Sequence, residues 1–410
     1  MSTAATLDSI LKELYRDEFY HVVTYQNRPA LATLPKREDF KGRNMRLPLR
    51  YANAMGRSAT FSTAQTNITS TKYEDFVLTR VKDYALARID GEGADAADGG
   101  EASFVQGVQA EVDSAMDALA DSIESALFGT GTGTIGNIAS TATVASKTLL
   151  LANISQITNF ELGQVIGASS GDGSGARTGT ASITGIDRNL GTITTTVSNW
   201  STQITALAVG DYLFVSGDTN LKLSGFPAWL PATAPSATTF FSVDRTADLT
   251  RLGGNRFDGS SGTVEEALID GQSVAAREGG RPDTCFINNA DFRKLQKTTG
   301  SRVQYPRGEV KAKSAKGDIG SIGFESLVLQ GDYGLINIIA APKCPSGTAY
   351  MLQLDTWVLA TLGKAPKILM RDGSRILRVY NDDSYEVRTA MYGQLGCMAP
   401  GYNVNVVLPS

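Results

Sequence analysis

The chain has 410 residues, 42% of them hydrophobic, and a formal net charge of −4. That is long enough for more than one core, and the weak charge gives no reason for sequence-specific nucleic-acid binding by the whole surface. No apolar run reaches the ~18 residues of a membrane span, and Met1 to Ile10 lacks the basic region and apolar core of a signal peptide.

The three cysteines (Cys285, Cys344, Cys397) are far apart, with no C-x-x-C spacing, and read as reduced, buried thiols. A single histidine, His21, is too little for a zinc site or for Ser-His-Asp chemistry. It follows an amphipathic N-terminal helix carrying Leu7, Ile10, Leu11 and Leu14. Residues 1–60 hold ten Lys/Arg against six Asp/Glu. Such a local excess suggests a basic arm that pairs with nucleic acid or with an acidic surface on another subunit.

Met45, Leu47, Leu49 and Tyr51 alternate with polar residues and Pro48, the pattern of a half-buried strand at a sheet edge. After a polar connection from Ser58 to Thr71, Tyr73 to Ile89 is extended again. Tyr84, Leu86 and Arg88 lie on one face, with Val81, Ala85, Ala87 and Ile89 on the other. The two runs predict a long hairpin, too poor in core to be stable without another surface. Residues 91–100, rich in Gly, Ala and Asp, read as a hinge.

A long acidic helix follows, predicted from Glu101 to Phe128 with Gly129 as its stop. From Asp90 to Glu124 there are ten acidic side chains, and no Lys or Arg lies between Arg88 and Lys147. Phe104, Val108, Val112, Met116, Leu119, Ile123 and Leu127 recur every three or four residues, which buries one stripe. At 1.5 Å per residue this is a strut roughly 40 Å long.

Residues 129–225 turn to Thr, Ser and Gly, with short strand-like runs at Gln164–Gly167, Ala181–Ile186, Thr192–Val197 and Asp211–Val215. Asn189-Leu190-Gly191 reads as a hairpin turn. The segment predicts a small all-β module with a core of Ile166, Ile183, Ile186, Ile193, Val197, Leu207 and Phe214. Beyond it the pattern is mixed α+β. Helices are expected at Thr263–Arg277 and Asn289–Lys297, and strands at Ala349–Leu362, Ile368–Met370 and Arg375–Tyr380.

Motif-like strings do not survive their context. Gly131-Thr132-Gly133-Thr134-Ile135-Gly136 fits G-x-G-x-x-G but follows a helix instead of a strand. Gly167-Ala168-Ser169-Ser170-Gly171 fits G-x-S-x-G without the helix of an elbow or a nearby base. The Gly171–Gly175 loop lacks a P-loop lysine, and Asp382-Asp383 reads as a surface turn. No catalytic, cofactor-binding or metal-ligating constellation is expected.

Several strings resemble the major capsid proteins of tailed bacteriophages of the Hong Kong ninety-seven type. They are Phe226-Pro227-Ala228-Trp229-Leu230-Pro231, Phe240-Phe241-Ser242-Val243-Asp244-Arg245, Thr263-Val264-Glu265-Glu266-Ala267-Leu268 and Pro282-Asp283-Thr284-Cys285-Phe286-Ile287-Asn288-Asn289. Asp291, Phe292, Leu295 and a tail with Tyr385-Glu386-Val387-Arg388, Tyr392, Ala399-Pro400 and Asn403 continue the likeness, which covers essentially the whole chain.

The resemblance implies an α+β phage major capsid fold with six parts: N-terminal arm 1–44, E-loop 45–95, P-domain with spine helix 96–139, inserted β domain 140–222, A-domain 223–378 and P-domain return 379–410. It implies a structural protein, not an enzyme, with no cofactor and no membrane partner. Hexamers and pentamers of it would close into an icosahedral head shell around double-stranded DNA, contacted non-specifically. A scaffolding protein, a portal and a decoration protein are the implied partners, with assembly in the host cytoplasm and the virion as destination. The long helical scaffold segment some relatives carry is absent, so the scaffold is expected to be a separate protein. Expected assembly contacts are Arg37, Arg43, Arg46, Tyr73, Phe76, Arg80, Lys82, Tyr84 and Arg88. Lys72 and Lys82 lie in the E-loop, but no Asn and Glu match the cross-linking partners of one branch. The alternatives are an encapsulin-like nanocompartment shell, a hydrolase using Ser169, or a β-rich tail or adhesin protein.

Overall fold

A computed structural model describes residues 28–90, 103–196, 199–299, 327–370, 376–380 and 382–409. The N-terminal helix, His21, the 91–100 hinge and Val197 lie outside them.

The described chain opens with a short helix, α1 (Pro29–Thr33), and strand β1 (Lys36–Arg37). β2 (Asn44–Ala52) and β3 (Lys72–Thr79) form an antiparallel ribbon with Pro48 opposite Asp75, and α2 (Phe61–Thr66) sits at its tip. The extended run predicted from Tyr73 to Ile89 is two strands. It breaks at Arg80, and β4 (Val81–Asp90) leaves the ribbon for another sheet.

The long helix is α3 (Ser103–Leu127). Gly129 is not its left-handed stop. The last turn closes through Phe128 N–H to Ser125 O and Gly129 N–H to Ala126 O, tight bonds that finish the helix without a positive φ.

The β module follows as β5 (Thr134–Asn137), β6 (Thr148–Leu150), β7 (Val165–Gly171), β8 (Ser174–Ala176), β9 (Ala181–Asp187), β10 (Thr192–Thr195) and β11 (Tyr212–Val215), with α4 at Trp200–Gln203. Their order is β5-β11-β7-β9-β10-β6, with β8 on β7. The expected β9–β10 hairpin is present, and Gly191 adopts φ +68°. Ile166, Ile183, Ile193, Leu207 and Phe214 are buried and Ile186 partly so. Trp200, overlooked in the sequence because it stands in a polar stretch, is fully buried and donates its indole N–H to Lys147 O at 2.9 Å.

The remainder comprises α5 (Phe226–Trp229), β12 (Asn255–Asp258), α6 (Val264–Arg277), β13 (Thr284–Ile287), α7 (Asn289–Thr299), β14 (Leu327–Gly331), β15 (Gly334–Ala340), β16 (Thr348–Leu352), β17 (Trp357–Thr361), β18 (Lys367–Ile368), β19 (Ile376–Arg378), β20 (Ser384–Cys397) and β21 (Val404–Val407). α6 starts at a reciprocal cap, in which Thr263 accepts from Glu266 N–H and the Glu266 carboxylate accepts from Thr263 N–H.

β20 organises the sheet beneath α3. It pairs with β4 along one edge and with β17, β18 and β19 along the other, and β1 extends the sheet beyond β17. A separate sheet runs β12-β21-β16-β13-β15-β14. Two expectations change here. β17, β18 and β19, assigned by sequence to the 223–378 domain, lie in the β4–β20 sheet. The closing strand β21, assigned to the 379–410 return, lies between β12 and β16 in the other sheet. An alternating pattern marks a strand without saying which sheet it joins.

The main core lies where these layers meet. Leu119, Ile123 and Leu127 of α3 pack there with Phe76, Phe128, Phe226, Trp229, Phe286 and Trp357. The capsid-like strings at 226–231 and 240–245 are therefore packing motifs: Trp229 stands edge-on to Phe76 and Phe240, each at 5.0 Å between ring centroids.

Candidate functional site

Charged side chains join the elements around α3. Arg28, just before α1, places Nη1 2.8 Å from Asp117 Oδ1 and Nε 2.7 Å from Asp121 Oδ1. Burial opposes its charge, but the bonds to Asp121 and Asp117 outweigh that and raise its pKa. One turn further along α3, the buried Glu124 carboxylate accepts N–H bonds from Ala30 at 3.1 Å and Leu31 at 2.8 Å. Part of the acidic back of the strut is thus already met within the chain.

A second junction centres on Lys222. Its Nζ lies 2.8 Å from Asp83 Oδ1 on β4, 2.9 Å from Ser122 Oγ on α3 and 3.0 Å from Asp218 Oδ2. Burial pulls the ammonium pKa down, and the carboxylates lift it above its ordinary value. Burial also raises Asp218. The node ties the exit of the β module to the helix and to β4. Beside it, Gly225 N–H donates to Gly129 O at 3.0 Å, so the module's entry and exit run side by side. A Cβ on Gly225 would run into the carbonyl oxygen of Leu127, which only glycine avoids.

The expected assembly residues divide into two groups. Phe76 is fully buried, and Arg80 turns inward to donate to Phe40 O at 3.0 Å, with its guanidinium 5.4 Å from the Phe40 ring centre. Both fix the base of the ribbon, where Phe76 is closed to a neighbour and Arg80 is half-buried; a strand's face cannot be assigned before its sheet is known. Arg37, Arg46 and Arg88 lie on the surface, paired in-chain with Asp39, Asp75 and Asp382. Arg43, Tyr73, Lys82 and Tyr84 are exposed.

Along α3, Leu119, Ile123 and Leu127 are buried, while Val112 and Met116 are only half-buried. Ala115 takes the inward place beside Ala87 and Val387. The side chains of Phe104 and Val108 lie outside the described residues.

The ribbon tip has almost no core. No residue of α2 is buried, and Met55, Phe61 and Ile68 are 60%, 79% and 69% exposed. A cleft of about 1440 Å³ lies between α3 and the β module. Asp113, Met116 and Asp117 line one wall, and Gln156, Glu161 and Leu162 the other.

Sequence reasoning missed Arg28, Glu124, Lys222 and Arg245. For Glu124 a signal existed: four residues after Ala120 and three before Leu127, it falls on the apolar seam. Arg245 lies 4.2 Å over the Phe240 ring centre and donates to Ala228 O at 2.8 Å, while its Nε is buried without a partner. Burial, then Arg256, lowers its pKa to about 10.

The catalytic-looking strings are structural. Ser169 is fully buried within β7 and donates its hydroxyl to Gly171 O at 2.9 Å. Gly131 and Gly133, at φ +92° and +84°, form the joint into β5. Among the described residues no group of three His, Cys, Asp or Glu side chains could hold a metal ion, and no helix is long and apolar enough to cross a membrane.

The sequence matches the family described as SU10 major capsid protein over residues 106–372. No curated protein matches it. In structure the chain is similar to the cyanophage A-1(L) capsid asymmetric unit, at 12% identity, with 100% of this chain and 99% of that chain covered and a TM-score of 0.59. It is also similar to a chain of Mycobacterium phage Bobi, at 10% identity, 100% and 99% coverage and a TM-score of 0.46. The holo-SrpI encapsulin complex from Synechococcus elongatus PCC 7942 gives 7% identity, 99% and 95% coverage and a TM-score of 0.47. The family match runs from α3 through the β module to β18, and on that span the chain belongs to the SU10 major capsid protein family.

Proposed function

We propose that this major capsid protein builds the icosahedral head of a tailed phage from hexamers and pentamers, around double-stranded DNA held by non-specific contacts. A separate scaffolding protein guides closure, a portal occupies one vertex, and a decoration protein binds the outer surface. Assembly proceeds in the host cytoplasm. The parts correspond to an arm at 1–44, an E-loop at 45–95, a spine-bearing P-domain, a β insertion at 140–222 and an A-domain.

One observation carries the reading beyond the family: an ordered ribbon ends in a tip with no core of its own. Short helices and two-stranded ribbons are marginal in water, so the tip gains its burial from a neighbouring subunit. Each exposed ion pair contributes under ~1 kcal/mol. Closed symmetry repeats the contact in every copy, and an interface of ~1,600 Å² adds apolar burial. Arg43, Tyr73, Lys82 and Tyr84, with surface-paired Arg37, Arg46 and Arg88, are the side chains placed to meet neighbours.

Replacing residues 53–71 by a short Gly-Ser turn tests this. The variant is expected to stay folded and to sediment as one slow species when co-expressed with the scaffolding protein, while the parent gives closed shells in electron micrographs. Capsid-sized particles from the variant would refute the role of the ribbon.

A further inference from the structure

The cleft between α3 and the β module carries the same charge on both walls. Asp113 and Asp117 stand on the helix side and Glu161 on the module side. Asp113 is exposed and makes no ion pair among the described residues. Asp117 and Glu161 are bonded to Arg28 and Arg188, yet their side chains stay 38% and 37% exposed, so each still presents surface to the cleft. The ammonium groups of the lining are committed elsewhere, Lys222 to Asp83 and Asp218, and Lys343 to Thr158 O. Apolar side chains stand beside the acids: Leu162 is exposed on the module and Met116 half-buried on the helix. Like charges facing each other beside apolar surface leave a gap that suits an amphipathic, cation-bearing group.

The backbone edge of the module is closed, which excludes an added strand. β5 is the outer strand of the module sheet and lines the cleft. Its outward groups are already bonded: Ile135 O accepts from Asn159 Nδ2 at 2.8 Å, Asn137 N–H donates to Gln156 Oε1 at 3.2 Å, and Asn137 O accepts from Ala152 N–H at 2.8 Å. An occupant must therefore bind through side chains, as an amphipathic helix does in a groove. Size agrees. A helix ~10 Å across displaces roughly 120 Å³ per residue, so roughly twelve residues, ~18 Å of helix, fill the 1440 Å³ present. The α3 wall from Asp113 to Ala126 is ~20 Å long. The chain's own residues 1–27, with four acids against two bases, have the wrong charge for this place.

We infer that the cleft docks a basic amphipathic helix of a separate protein, with its apolar side on Met116 and Leu162 and its cationic groups on Asp113, Asp117 and Glu161. This rests on the shell reading above, and it adds where, and by what chemistry, the scaffolding protein holds the subunit. The guest helix grips α3 and the β module together while the shell is built. Raising salt releases it, because exposed charge contacts are screened beyond ~8–10 Å.

The test uses the full-length chain and a labelled designed peptide, about fourteen residues with Leu at helical spacing and Lys elsewhere. Fluorescence anisotropy is expected to show binding that fades with added salt. A peptide with Glu in place of Lys, or with the same residues scrambled, should bind about tenfold more weakly. Asp113→Lys and Leu162→Asp, both at exposed positions where folding is retained, are each expected to weaken binding about tenfold. Leu190→Asp, on the exposed β9–β10 turn, should leave it unchanged. A photocrosslinker in the Leu row of the peptide should attach at Met116 or Leu162. With the scaffolding protein co-expressed, Asp113→Lys and Leu162→Asp should lower the yield of closed shells several-fold. Equal affinity for the scrambled peptide and for both variants, or attachment outside the cleft, would mean charge attraction only and overturn the site. Peptide bound in the cleft with parental shell yields from both variants would overturn its assignment to the scaffolding protein. The shell reading is tested separately: if the parent forms no closed shells with the scaffolding protein, that reading falls, while the peptide result still decides the groove.

Discussion

At the scale of single residues, Glu124 stands out as a buried acid with two peptide N–H groups aimed at it. Burial raises its pKa from 4.5 to about 7; the N–H groups of Leu31 and Ala30 and the Lys343 ammonium pull it down, while Asp121 adds to the rise. Docking of α1 on α3 therefore takes up a proton. Its contribution is complete below the ordinary value of 4.5 and is lost as pH rises through about 7, a separation worth ~3 kcal/mol. Protection of the Ala30 and Leu31 amides, taken relative to their intrinsic base-catalysed exchange, should fall between about pH 4.5 and about pH 7, and Glu124→Gln should flatten that dependence. An unchanged slope in the variant would show that Glu124 is not its source. Asn403 is a second such residue. Its Oδ1 accepts from Trp357 Nε1 and Gln353 N, both at 2.8 Å, and its Nδ2 donates to Ala399 O at 2.9 Å. Asn403→Leu would strand the buried Trp357 indole N–H at ~1–3 kcal/mol and take the acceptor from the half-buried Gln353 N–H, and the denaturant midpoint should fall accordingly. A parental midpoint would remove the residue from the core's account. The sequence placed both residues in the right segments without revealing their partners, which lie 93 and 94 residues from Glu124 in Leu31 and Ala30. Periodicity reports faces, and long-range polar pairing has no period.

At the scale of elements, α3 was legible because 25 residues sustain one period, whereas the facing of its seam was not. Ala115 packs against Ala87 and Val387 and displaces Met116 toward the cleft, since the close approach of β4 and β20 favours a small side chain. Met116→Asp should consequently fold with a melting temperature near the parent's. Ile123→Asp, at a fully buried site, buries an unpaired charge at a cost of several kcal/mol and should be insoluble. Equal solubility of the two would mean that the helix is not seated as described. The basic arm also needs redrawing. Ala30, Leu31, Leu34 and Phe40 belong to the main core, so cutting residues 1–40 would damage folding. Residues 1–27 hold two Lys/Arg against four Asp/Glu, so the basic excess of the segment lies in residues 28–60. Cutting only residues 1–27 should leave the core folded, and a lower particle yield would show that this segment acts between subunits. An unchanged yield would confine the arm's role to residues 28–60.

For the whole molecule, the order of parts was legible and the sheet membership was not. β20 and β21 are separated by a few residues yet belong to different sheets, because the 3₁₀ turn at Pro400–Tyr402 redirects the chain after β20 leaves the α3 layer. The β module shows the opposite case. Its composition marked its extent, and its geometry makes it separable: entry and exit meet at Gly129 and Gly225, and its core of Ile166, Ile183, Ile193, Leu213 and Trp200 is its own. Few contacts crossing a boundary is the mark of an independent unit. Those that do cross are Leu223, which is buried in the main core, and polar contacts, chiefly Lys222 to Asp83 and Ser122, and Lys343 to Thr158 O at 2.7 Å. Residues 130–224 expressed alone should therefore melt cooperatively, reported by Trp200, the segment's single tryptophan. The remaining chain, rejoined through two or three glycines, should fold less stably because Asp83 loses its ammonium partner. It should give fewer closed particles, because the Lys222 node that braces α3 against β4 is gone. A gradual melt of the isolated segment would show that it needs α3 as a wall. Closed shells from the rejoined chain at the parental yield would show that the module only decorates the surface.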